Sequence, residues 1–356
     1  MYETALIKVL TALVAWLTLF NTNPAAADPA ELQRIMTEYN SLKADIPPPS
    51  TQTLEIAGWI FPGAPACGAL AEAKGSQVSV LKPEFFRVNY DGELELLTVE
   101  NGGCNGFSAQ NLTAIKSQSN KQYVTIASLG VEATERFFAS PTLHQEISRL
   151  VSFVVNNNLS GVEIDFEDYG SWSPALLNNY LNFLTTLGQK LHQNQKKLLV
   201  DVPAVRNQSE ANWYPLKYQA FNSLPVDEMV IMGYDYQYDY GIGEPVAPLA
   251  WLEEVVRFAQ SQLNDRSKIS VGLPNYGYVG SKNTGKITLM TREEAKKNAL
   301  YGKLVRDKAS GELIASQNGE VLVVQDQESL RQKIATVQVL GIKKVSIWHL
   351  GGGALP

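Results

Sequence analysis

Residues 160–167 read Ser-Gly-Val-Glu-Ile-Asp-Phe-Glu, which places Glu163, Asp165 and Glu167 at every second position. In an extended chain successive side chains point to opposite faces, so the three acids share one face and Val162, Ile164 and Phe166 share the other. Carboxyl groups crowded together away from water cannot all ionise cheaply. Burial and mutual repulsion raise at least one pKa, which is how a carboxyl group stays protonated near neutrality and serves as a general acid. The chemistry on offer is therefore general acid/base catalysis. A strand lying on a solvated sheet would wear the same acids with no chemistry at all, so the surrounding elements decide between the two.

Eight short strand candidates run from Leu54 onward, at 55–61, 84–88, 123–127, 161–167, 198–202, 228–232, 269–273 and 344–348. Most are separated by helical patterns. The segment 144–157 repeats apolar residues at Ile147, Leu150, Val151, Val154 and Val155, the spacing of one buried helix face. A second helix is expected at 174–193, with Ser173 as its N-cap and Pro174 at its first position, and a third at 251–263. Strand and helix alternating eight times predicts an α/β chain closed into a (β/α)8 TIM barrel. The stretch at about 281–325 is too long for a simple crossover and reads as a small insertion between strands 7 and 8. In such a barrel no strand has a solvated face. Glu163, Asp165 and Glu167 then point into the barrel, with Glu167 at the C-terminal mouth where these folds build active sites.

Other features bound the function. The 356 residues are 45% apolar and 19% charged, enough for a sizeable core, with a net charge of −6 and no basic run. This weighs against nucleic acid as a partner and fits a neutral ligand better. Lys8, a 12-residue apolar run over 9–20 and an Ala-x-Ala site ending at Ala27 have the layout of a secretory signal peptide (1–27). Glu3 offsets Lys8, which leaves an uncleaved tether as the alternative; after cleavage no stable membrane insertion is expected. A short helix at 28–43 and a proline-rich linker at 46–52 complete the segment 28–53, and the main domain is read as 54–356. The expected location is secreted, or periplasmic and cell envelope. Cys67 and Cys104 are the only cysteines, an even count that suggests one disulfide in an exported chain, two free thiols being the other reading. His144, His192 and His349 are scattered and form no cluster with cysteine, so neither a metal nor a cofactor is expected.

The chain resembles glycoside hydrolase family 18, the chitinase-like barrels whose fourth strand ends in D-G-x-D-x-D-x-E. The resemblance extends to Met232–Tyr238 (MGYDYQY), to 200–204 (VDVPA), to 271–278 (VGLPNYGY) and to 345–353 (VSIWHLGGG). It implies retaining cleavage of β-1,4 bonds beside an N-acetylated sugar, the substrate's own acetamido oxygen attacking C1 in place of an enzyme nucleophile. It implies Glu167 as general acid/base, Asp165 as the group that orients the acetamido and stabilises its positive charge, and Tyr234 as a hydroxyl on the acetamido carbonyl. Asp235 would add a polar contact, and Trp348 would form the floor under the cleaved sugar. Trp59 and Tyr276 lie at or near strand ends and are candidate cleft residues. The chain departs from the pattern at Ser160 and Glu163, where the family carries aspartates. The resemblance implies that Glu163 shares a proton with Asp165, provided its longer side chain does not displace Asp165. The implied partner is an N-acetylglucosamine-containing oligo- or polysaccharide, bound by a monomer. Residues 319–353 also resemble bacterial spore and cell-wall members, which puts peptidoglycan beside chitin. A chitinase-like lectin that binds without cutting is the alternative function.

Overall fold

The structure is a computed structural model that describes residues 54–128 and 130–355. The expected signal peptide and the helix and linker at 28–53 lie outside the described residues. Residues from Leu54 onward form one compact unit.

Eight parallel strands close into a barrel: β1 (Glu55–Ile60), β2 (Val80–Val88), β4 (Lys121–Ser128), β5 (Gly161–Phe166), β6 (Lys197–Pro203), β7 (Glu228–Met232), β8 (Ile269–Pro274) and β14 (Lys344–Trp348). Closure is made by β1, which pairs with β14 on one side and β2 on the other. A short strand β3 (Leu94–Leu96) adds antiparallel to β2. The expected barrel is thus observed, with two local differences. Strand β2 begins at Val80, four residues before the expected start, because the alternation there is interrupted by Pro83 and by a register shift between Glu84 and Phe86. Glu167 lies just beyond the end of β5.

Helices cover the barrel with the stripes that the sequence encodes. Helix α1 (Leu143–Asn156) buries Ile147, Leu150, Val151 and Val154, while Val155, counted in the same stripe, is exposed. In α2 (Pro174–Gln193) the Ser173 hydroxyl accepts from the Leu176 amide at 3.1 Å, satisfying a donor that the helix cannot. Helices α3 (Leu249–Gln262) and α4 (Gln327–Val339) pack beside each other and against β8. The outward residues of the acidic strand, Val162, Ile164 and Phe166, are all buried in this outer core.

Between β8 and β14 the chain forms a second, five-stranded antiparallel sheet, ordered β10 (Lys286–Met290), β9 (Gly277–Ser281), β13 (Glu320–Val324), β12 (Leu313–Gln317), β11 (Val305–Arg306). It begins at Gly277, a few residues before the expected insertion. The buried Glu312 clamps it to the barrel, accepting the amides of Val246 and Ala247 at 2.8 Å each and pairing with the buried Lys333 at 3.0 Å. Cys67 and Cys104 are joined in a disulfide with Cα atoms 5.6 Å apart. It ties the loop after β1 to the loop at 103–105, where Asn105 also bonds the carbonyl oxygens of Phe61 and Ala66.

Candidate active site

The inward positions of the barrel strands build the site. Glu163 pairs in register with Thr125 of β4, which pairs with Glu84 of β2, while Asp165 pairs with Ala127. Leu199, beside Glu163 on β6, joins Ala57, Trp59, Val80, Tyr123 and Val230 in a small apolar cluster that fills the barrel below the acids. Alternation from Leu199 carries Asp201 inward as well.

Glu163 is fully buried and held from three strands. Lys82 donates to its Oε1 at 2.5 Å, Trp59 Nε1 to its Oε2 at 2.8 Å, and the Thr125 hydroxyl to Oε2 at 3.0 Å. Lysine and indole groups only donate, so both oxygens of Glu163 are used as acceptors. Lys82 itself is buried, donates to Ser346 Oγ at 2.8 Å, and lies 4.5 Å from the centre of the Trp59 ring. Burial opposes its charge, but Glu163, Asp201 and Glu228 outweigh that and hold its pKa above the ordinary lysine value.

The remaining carboxyl groups are pushed the other way. Burial drives the Asp165 pKa well above the carboxylate range, reinforced by Glu167, Glu84 and Glu163. Asp165 Oδ1 is buried with no hydrogen-bond partner. Asp201 is raised in the same manner, by burial, by the charges of Glu163 and Asp165, and by hydrogen bonding to Glu163. Burial and the neighbouring Glu167 lift Glu84 to about 7. Glu167 stands at the rim with one side open to solvent. Protein packed around its carboxyl still raises its pKa, with Asp235 and Asp168 adding to the effect.

The opposite wall is aromatic. Tyr234 and Asp235 follow β7, where Asp235 adopts a left-handed backbone (φ 71°), a conformation that aspartate tolerates better than most residues. Asp235 Oδ1 accepts from the Tyr276 hydroxyl and, at 3.1 Å, from Gln237. Burial raises the Asp235 pKa while these two bonds lower it, the balance being upward. Trp348, at the end of β14, packs edge-on against Tyr276 (ring centres 5.2 Å apart) and tilted beside Tyr234 (6.0 Å). Gly272 leaves room for this wall: a Cβ there would lie 3.0 Å from the Tyr234 ring and 3.3 Å from that of Trp59. The Tyr234 hydroxyl makes no hydrogen bond among the described residues, and burial drives its pKa well above the usual tyrosine value. A groove of about 540 Å³ lies at the mouth, lined by Phe61, Glu84, Tyr90, Ala127 and Arg136 among others.

This arrangement of acids on β5 facing Tyr234, Asp235 and Trp348 agrees with the comparison to known proteins, in which glycosyl hydrolases family 18 matches residues 68–353. The chain belongs to this family. Solved structures with a similar fold are a chitinase from Chromobacterium violaceum (21% identity, TM-score 0.67, covering 85% of this chain and 95% of that one) and the spore cortex-lytic enzyme SleL from Bacillus cereus (19%, TM-score 0.70, covering 87% and 73%). A curated relative, an uncharacterized glycosylase YvbX from Bacillus subtilis, is 24% identical over 216 residues. That alignment covers 57% of this chain, and the chain spans 60% of that relative's length.

Within the family-18 centre, Asp165, Glu167, Tyr234, Asp235 and Trp348 converge as the sequence indicates. Three expectations change. Glu163 is bonded to Lys82, Trp59 and Thr125 rather than offered to Asp165, because β2, two strands away, brings a buried cation within reach of its carboxylate. Trp59 is no cleft residue: it is 5% exposed and its indole braces Glu163 from below. Tyr276 is 2% exposed and its hydroxyl donates to Asp235 instead of facing the cleft. Lys82, Glu84, Asp201 and Thr125 were not singled out from the sequence. A lone aspartate inside the apolar run LLVDV was the available signal for Asp201, since a strand buried on both faces must find a use for a charge.

Proposed function

We propose that the protein is an exported glycoside hydrolase that cleaves β-1,4 bonds in N-acetylglucosamine-containing glycans, with chitin oligomers and peptidoglycan as the candidate substrates. The observation that carries the reading is the unpartnered, buried Asp165 Oδ1 beside a Glu167 of raised pKa and a Tyr234 hydroxyl without a protein partner. An unsatisfied buried polar group is costly, and Asp165 Oδ1 set beside the rim carboxyl of Glu167 and the free hydroxyl of Tyr234 suits a polar ligand. Glu167 gives its proton to the leaving oxygen and later takes one from water. Protonated Asp165 and Tyr234 bond the substrate's acetamido group and hold its oxygen for attack on C1. Trp348 offers an apolar face to the sugar. The disulfide supports export to an oxidising compartment.

The test is incubation of the protein with chitopentaose and, separately, with purified peptidoglycan, followed by mass spectrometry. Shorter oligomers or released muropeptides support a hydrolase and name its substrate. Intact glycan bound to an inactive protein would instead make it a lectin.

A further inference from the structure

Lys82 is an unusual filling for a barrel interior, where such layers are ordinarily apolar. Its side chain is 1% exposed, yet it makes an ion pair with Glu163, a hydrogen bond to Ser346 and a cation–π contact with Trp59, joining β2 to β5, β14 and β1. The carboxyl groups acting on it are Glu163 and Asp165 from β5, Asp201 from β6 and Glu228 from β7. β1, β4 and β14 bring to this cluster the uncharged Trp59, Thr125 and Ser346. Glu163 lies two residues before Asp165 on the same inward face, so whatever fixes Glu163 fixes what lies beneath Asp165.

We propose that Lys82 is a positioning residue of the catalytic centre: by pairing with Glu163 it makes that carboxylate a fixed acceptor, so that the proton carried by Asp165 stays on the cleft side with Glu167. The three donors on Glu163 hold it as an acceptor, so it offers Asp165 no proton. Asp165 keeps its own proton for the substrate, and the transfer during turnover runs between Glu167 and the glycan. This inference rests on the glycosidase reading for its kinetic consequence, though not for the charge pairing itself.

Two variants of the full chain test it, Lys82→Met and the double variant Lys82→Met/Glu163→Gln, which removes both charges and so folds without a buried unpaired ion. The readouts are kcat and KM across pH on whichever glycan the wild type cuts, and the infrared band of protonated carboxyl groups. Lys82→Met is expected to lower kcat about 100-fold with KM changed less than about threefold, to move the pH profile, and to add one protonated-carboxyl band as Glu163 takes up a proton. In the double variant the added band is absent and the pH profile returns towards the wild type. An unchanged profile and carboxyl band in Lys82→Met would overturn the proposal, as would an added band that persists in the double variant. If Lys82→Met does not fold, a pH profile in the double variant far from that of the wild type overturns it. Should the wild type cut neither glycan, the glycosidase reading fails, while the carboxyl band still decides the role of Lys82.

Discussion

Lys82 Nζ and Glu163 Oε1 lie 2.5 Å apart in the closed interior of the barrel, both shielded from solvent. A pair of this kind adds little net stability, because desolvation offsets the attraction, but breaking it strands a charge. Lys82→Ala is therefore expected to destabilise the fold by about 3–5 kcal/mol, read from denaturant midpoints, with Glu163→Gln close behind. A loss under about 1 kcal/mol in both would show that the pair is not formed.

Tyr234→Phe separates the hydroxyl proposed to hold the substrate from the packing ring that carries it. The hydroxyl bonds nothing among the described residues, so stability should stay within about 0.5 kcal/mol while kcat falls about 10- to 100-fold. Thermal unfolding and steady-state kinetics on the same preparation check it.

Glu84 gives stability a defined pH dependence. Its folded pKa is about 7 against an ordinary 4.5, so the folded state holds a proton that the unfolded state has lost between those values. The stabilisation is complete below about pH 4.5 and is lost as pH rises through about 7, an effect on the order of 3 kcal/mol. Unfolding free energies measured from pH 4 to 8 should flatten in Glu84→Gln over this window.

With Asp165 and Glu167 in their proposed roles, their raised pKa values predict the activity profile. An acid must be protonated to work, so kcat/KM should persist above the ordinary carboxylate range and decline only as pH rises through the raised values. A decline centred near pH 4 would mean that neither group is held protonated.

How far the sequence spoke follows from which rule each residue obeys. Glu163, Asp165 and Glu167 were readable because they keep a period of two on a regular strand, and α1 and α2 because their apolar stripes keep the helical period. Lys82 and Glu84 were hidden because Pro83 and the register shift at Glu84/Phe86 break the alternation of β2, and a lysine beside a proline reads as loop or edge. Trp59 and Tyr276 were read as cleft residues from their places at strand ends, yet their polar atoms turn to Glu163 and Asp235. Side-chain direction at a strand end depends on the partner across the barrel, which spacing alone does not give.

Removing the disulfide with Cys67→Ala/Cys104→Ala frees a link across 37 residues and should lower stability by about 2–4 kcal/mol. It also releases the loop carrying Phe61, Pro62 and Gly63, which walls the groove at the mouth, so KM should rise more than kcat falls.

The central claim is that Glu167 is the proton donor, and the most direct measurement is the turnover of Glu167→Gln on a glycan that the wild type cleaves, with binding followed in parallel by calorimetry. The account predicts a fall in kcat of about a thousandfold or more with affinity for the intact glycan kept. A variant that retains turnover within about tenfold of the wild type would contradict it.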